Sequence, residues 1–155
     1  MTKIIDAVSI VMTCGDEIFA IQRQNYLKAF PGYWAPPGGK VETGDESYFI
    51  EHELTHGLDQ KLFGAAVREG MEELGVDFRK EISAGRIERV DFLGLAITPD
   101  FNPYRFATHF FRFHFKVKVD FVVDTNEARE AHWLTCPELV KCYEEGKILA
   151  VPPVI

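Results

Sequence analysis

The sequence predicts an α/β domain, a mixed central β-sheet with helices on both sides. Three observations carry this. Apolar strand-like runs lie on both sides of a long helical stretch, residues 46–74. Residues 106–119 alternate with period two in their second half. A short amphipathic helix, opened by Pro137 and stopped by Gly146, follows the last strand. At 155 residues the chain forms one domain, 1–155, with room for a sizeable core. Hydrophobic residues make up 46% and aromatic residues 13%, which excludes a disordered chain.

Taken in order, residues 7–13 and 18–23 are apolar runs separated by Gly15-Asp16, a β-hairpin that leaves Arg23 at a strand end. Residues 25–37 are aromatic and turn-rich, and form either a packed loop or a wall of the site. Residues 46–74 read as helix in two segments, broken near Gly57 or Gly64. Residues 87–97 are strand-like. In 106–119, Phe111, Phe113, Phe115, Val117 and Val119 share one face, opposite Arg112, His114, Lys116 and Lys118. Trp133-Leu134 closes a last short strand.

The net charge is −7, which argues against a broad nucleic-acid footprint, since that needs a basic face. An acidic protein handling a polyanion needs divalent metal between the two. Cys14, Cys136 and Cys142 form no Cys-x-x-Cys pair and read as reduced thiols. The N-terminal stretch lacks a long apolar run and no window is long enough to span a membrane, so a cytoplasmic protein is expected.

The chemistry concentrates in Arg68-Glu69-Gly70-Met71-Glu72-Glu73-Leu74-Gly75-Val76. On a helix, Glu69, Glu72 and Glu73 share a face. Three like charges together favour a bound cation, and carboxylate oxygens suit Mg²⁺ or Mn²⁺. Spacing alone also permits a solvated acidic face. Upstream lies the glycine-punctuated loop Pro37-Gly38-Gly39-Lys40-Val41-Glu42-Thr43-Gly44-Asp45.

Together the two pieces resemble the Nudix hydrolase signature: Gly, five residues, Glu, seven residues, then Arg-Glu-apolar-any-Glu-Glu-any-Gly-apolar. Gly39 opens the match, and Arg68 to Val76 close it. Asp45 stands where the pattern has Glu, and Gly70 where it has an apolar residue. Asp45 and Arg68 are separated by 22 residues rather than seven, an insertion of 15. Longer loops add little closure entropy, so the halves can still meet.

The resemblance implies an α/β/α sandwich carrying a helical insertion at about 46–62. It further implies metal-dependent hydrolysis of a diphosphate bond in a nucleoside diphosphate linked to another moiety, releasing two phosphorylated products. Glu69, Glu72 and Glu73 are the implied metal ligands, with the Gly39 carbonyl completing the set, and Arg68 is implied to hold a helix carboxylate in place. The general base is open between Glu69, Glu127 and Glu130. Arg23 matches a phosphate-facing position. Residues 29–39, 104–111 and 146–153 resemble the branch containing coenzyme A diphosphatases, which brings Trp34, Gly38, Gly39 and Arg105 into the substrate-binding set. Coenzyme A, ADP-ribose and nucleotide sugars are all open as substrates, with Tyr33, Trp34, Tyr104 and Phe106 available to stack on a base. A Nudix-fold binding module without catalysis is a further alternative.

A competing motif sits inside the insertion. His52-Glu53-Leu54-Thr55-His56 is a complete His-Glu-x-x-His, which on a helix places two imidazoles to chelate Zn²⁺ with Glu53 as base, as in thermolysin-type peptidases. The bland reading is a surface helix. Apolar Phe49, Ile50, Leu54, Leu58 and Leu62 also suggest a homodimer formed through that helix. His109, His114 and His132 read as satisfied or solvent-facing imidazoles.

Overall fold

The computed structural model describes residues 3–26, 32, 34–103, 105–126 and 128–144, the side chains of 142 and 143 excepted. Its strands are β1 (Ile4–Cys14), β2 (Glu17–Arg23), β3 (Trp34–Ala35), β4 (Gly38–Lys40), β5 (Ile87–Ile97), β6 (Arg105–Phe115) and β7 (Ala128–Thr135). The helices are α1 (Gln60–Leu74), α2 (Phe78–Ser83) and α3 (Cys136–Glu144). The sheet runs β3-β2-β1-β6-β5, with β4 paired to β1 and β7 to β2. β1 and β6 are parallel and the other pairings antiparallel, so the sheet is mixed as expected.

Alternation places Val8, Ile10 and Met12 of β1 beside Phe111 and Phe113 of β6, all buried against Phe63, Ala66 and Val67 of α1. Asp59 caps α1, its carboxylate accepting from the Leu62 N–H at 2.9 Å, and Gly75 ends it in the left-handed region at φ 63°.

Two expectations about elements are overturned. β6 ends at Phe115, and Val117 is 60% exposed rather than continuing the apolar face. The chain leaves the sheet to run along the end of α1, where the N–H groups of Val122 and Asp124 donate to the Leu74 and Glu73 carbonyls at 3.0 and 2.8 Å. Those carbonyls have no partner inside the helix, so this contact outweighs two more residues of strand.

The insertion is also not a helix. It forms two 3-10 turns, Asp45–Tyr48 and Glu53–Thr55, joined by extended chain. Its apolar side chains, Tyr48, Phe49, Ile50, Leu54 and Leu58, drape over the core instead of lining a helical face. Gly57, at φ 81°, makes the break before α1. Gly64 stays inside α1, where an added Cβ would fall 1.8 Å from the Asp45 carbonyl oxygen. Phe49, Ile50, Leu54, Leu58 and Leu62, from which a pairing surface was expected, lie partly buried against the chain's own core.

Candidate functional site

Both halves of the split motif meet, and Arg68 joins them. Its side chain is buried at the middle of α1, 6% exposed, and its Nε and Nη2 donate to the two oxygens of Asp45 at 2.7 and 3.2 Å. Nη2 also donates to the Lys40 carbonyl at 2.7 Å. Nη1 donates to Glu69 at 2.9 Å and Glu72 at 3.2 Å. A planar fork suits this double grip, and the hydrogen bond to Asp45 is the main reason the guanidinium pKa is raised above its already high value. The fork's paired bonds thus hold the loop carboxylate, which folds back across the 15-residue insertion, while Nη1 holds helix carboxylates as the resemblance implied.

Asp45 is 1% exposed and its Oδ2 also accepts from the Glu42 N–H at 2.7 Å. The shorter carboxylate in place of Glu still reaches, since the Asp45 turn sits directly on α1 at Gly64. The second departure, Gly70, is explained by α2: a Cβ there would fall 2.5 Å from the Phe78 ring, which occupies the volume an apolar side chain would fill.

Gly39 faces the glutamates. A Cβ on it would lie 2.2 Å from Glu69 Oε1, so only glycine lets β4 pass so close to that carboxylate. The Gly38 N–H donates to Glu73 Oε2 at 3.1 Å. Glu69 and Glu73 are buried, and Glu72 is exposed, its side chain 58% open to solvent. Three carboxylates on one helix face, with the close glycine strand beside them, are a donor set that fits a hard divalent cation. In the arrangement seen, Glu69 and Glu72 turn to Arg68 and Glu73 to Gly38. Among the described residues no three acidic, His or Cys side chains converge as a ready cage.

The other expected site residues are more dispersed. Arg23 is half-buried at the end of β2, beside a register shift opposite Ala128. Arg105 opens β6, tied to Asp100 at 2.7 Å and to the Thr98 carbonyl at 3.1 Å. Trp34 is buried, 5% exposed, and stacks on His132 with ring centroids 5.7 Å apart, so its place is in the packing between β3 and β7. Glu130 is exposed on β7, opposite Gln22. Glu127, Tyr33 and Tyr104 lie outside the described residues. A cleft of about 490 Å³ between β7 and residues 119–125 has Glu130 in its walls but not Glu69, Glu72, Glu73 or Arg68.

The His-Glu-x-x-His string does not form a zinc site. His52 caps the Glu53–Thr55 turn, its Nδ1 accepting from the Leu54 N–H at 3.0 Å, and His56 follows that turn at φ −57° and ψ 128°, outside helical geometry. Chelation at i, i+4 needs a continuous α-helix, which this segment lacks. Sequence reasoning missed Asp45 as the partner of Arg68, and the main-chain groups of Gly38 and Lys40. The substitution at Asp45 was visible, but its partner was not, and the main-chain groups leave no signal in residue type.

Fold and site together define an α/β domain whose glycine strand and arginine-clamped glutamate helix build one acidic centre. The chain belongs to the Nudix family, the NUDIX domain model matching residues 3–151. It is similar to a Nudix hydrolase from Alicyclobacillus acidocaldarius, with a TM-score of 0.79 and 21% identity over 100% of this chain and 89% of that one. It is similar also to the NUDIX domain of Shewanella oneidensis NrtR complexed with ADP ribose, with a TM-score of 0.59 and 15% identity over 91% of this chain and 79% of that one. At those identities the likeness is one of fold. The m7GpppN-mRNA hydrolase NUDT17 of Danio rerio is 28% identical over 78 residues, which are 50% of this chain and 21% of that protein. The matched stretch thus spans about a fifth of that relative's length.

Proposed function

We propose that this protein is a cytoplasmic diphosphohydrolase that splits the diphosphate bond of a nucleoside diphosphate linked to another group, such as coenzyme A, ADP-ribose or a nucleotide sugar. The observation that carries the reading is the Arg68 clamp, which brings the Asp45 loop, Gly39 and the glutamates of α1 together across the insertion. Glu69, Glu72 and Glu73 would hold Mg²⁺ or Mn²⁺, which when bound supplies charge neutralisation for both phosphates and acidifies a water. Arg68 holds Glu69 and Glu72 in register on one Nη1 atom. Glu73 is aimed at the glycine strand by the Gly38 N–H. Exposed Glu72 is the carboxylate open to an incoming ligand. Glu69, Glu127 and Glu130 are the candidates to take the proton from water, and Arg23 and Arg105 to meet phosphate oxygens.

The test is product formation by mass spectrometry from coenzyme A, ADP-ribose, nucleotide sugars, dinucleoside polyphosphates and nucleoside triphosphates, with Mg²⁺ or Mn²⁺, comparing wild type with Glu72→Gln. Wild type should split one class and Glu72→Gln should lose at least about a hundredfold in rate, as removal of a group stabilising transition-state charge does. Equal turnover by both would overturn the assignment. No turnover of any compound by wild type would favour the binding module.

A further inference from the structure

One row of residues crosses the sheet from the acidic centre to a second polar pair. Gly39 pairs with Val8, Val8 with His109, and His109 with Leu95. Directly paired residues point to the same face of a sheet. The Cβ direction of Gly39 leads to Glu69, so this face is the one that carries α1. Two strand spacings put His109 about 10 Å from Gly39 along the row.

His109 is held there. Its Nε2 lies 3.3 Å from Asp6 Oδ1, and Asp6 shares the face of Val8, two residues along β1. Its ring also lies against Phe92, with centroids 6.3 Å apart. With Nε2–H donating to the Asp6 carboxylate, Nδ1 is the ring nitrogen left to accept from a ligand. Among the described residues Nδ1 has no hydrogen-bond partner. Beside it Phe92 and Leu95 are 47% and 52% exposed, an apolar margin next to one aimed acceptor. Apolar side chains beside a few placed polar groups are the lining chemistry of small-molecule sites. The 3-10 turn Glu53–Thr55 of the insertion packs on β5 along the same edge.

We propose that His109 is a substrate-binding residue, its Nδ1 accepting a hydrogen bond from a hydroxyl or amide N–H of the group linked to the nucleoside diphosphate, with Phe92 and Leu95 covering the apolar part of that group. This rests on the hydrolase reading above. Asp6 is the positioning residue, fixing the tautomer and the ring.

Binding of ADP-ribose, coenzyme A and plain ADP by calorimetry, in a Glu72→Gln background that blocks turnover, tests it. His109→Ala should weaken the linked compound that binds by about tenfold, the size of one lost hydrogen bond. ADP, which lacks the linked group, should change less than about twofold on the same scale. His109→Asn keeps an acceptor near the Nδ1 position and should retain most of the affinity. His109→Gln keeps only the reach to Asp6 and should behave like alanine. A packing role would give no such order. In the hydrolysing enzyme KM should rise with kcat nearly unchanged. His114→Ala, on the opposite face of β6 against Thr13, is the control expected to match wild type.

If wild type binds and splits a linked compound while His109→Ala does the same equally well, this inference falls and the hydrolase reading stands. If glutamine rescues and asparagine does not, it also falls. Failure of wild type to bind or split any of them would sink both.

Discussion

Replacing Arg68 with alanine removes the side chain that ties the Asp45 loop to the glutamate helix. The magnitude follows from what it leaves behind. Among the described residues Asp45, 1% exposed, keeps the Glu42 N–H as its one donor once the two guanidinium bonds are gone. Breaking a buried pair by removing one partner costs about 3–5 kcal/mol, because the remaining charge is uncompensated. The bond to Glu72 adds little, since that side chain is 58% exposed and such pairs are worth about 0–1 kcal/mol. The loss is about a fifth or more of the 5–15 kcal/mol that stabilises a typical domain. Urea unfolding followed by far-UV circular dichroism measures it, and the thermal midpoint should fall by about 6–20 °C. Arg68→Ala with Asp45→Leu should recover part of the loss, since the buried charge is then gone, and a double-mutant cycle should show strong coupling. A stability within about 1 kcal/mol of wild type, with additive effects in the cycle, would refute the clamp as described.

Three further perturbations follow from other parts of the structure. Gly70→Ala drives a methyl to within 2.5 Å of the Phe78 ring, itself stacked on Phe113 at 4.0 Å, and should destabilise by about 1–3 kcal/mol in chemical denaturation, with Phe78→Leu relieving part of it. At Asp77, burial opposes the charged form, but hydrogen bonds from the Arg79 side chain and main chain outweigh it and lower the pKa. Its contribution is therefore complete above the unfolded pKa near 3.9 and lost as pH falls through the lower folded value. Asp77→Ala should cost about 1 kcal/mol at pH 7, with the gap to wild type closing toward pH 3. Elemental analysis should find no stoichiometric zinc lost in His56→Ala, because His52 and His56 flank a 3-10 turn; zinc bound one to one by wild type alone would contradict that geometry.

Much of the site was legible as residue types. Glu69, Glu72 and Glu73 stand on one helix, as their spacing implies, and Gly39 lies against Glu69. β5 runs over the expected residues 87–97. The misreadings have physical causes. Residues 46–56 have helix-compatible residues, yet their apolar side chains reach more core from an extended path. The alternation that ran on to Val119 competed with the unpaired carbonyls of α1, and the carbonyls took the chain. Trp34 belongs to an aromatic-rich segment, but only the β2–β3–β7 packing shows that it is buried on His132.

What the sequence by itself determined was local: periodicity of two or 3.6, and the carboxylates of one helical face. These depend on neighbours within a turn or a strand. Tertiary structure alone decided which groups meet across long separations: Arg68 with Asp45, Gly70 with Phe78, and His109 with Asp6, 103 residues apart. Such contacts follow from strand order and register, here the parallel pairing of β1 with β6, and many orders are compatible with the same local pattern until burial of the common core selects one.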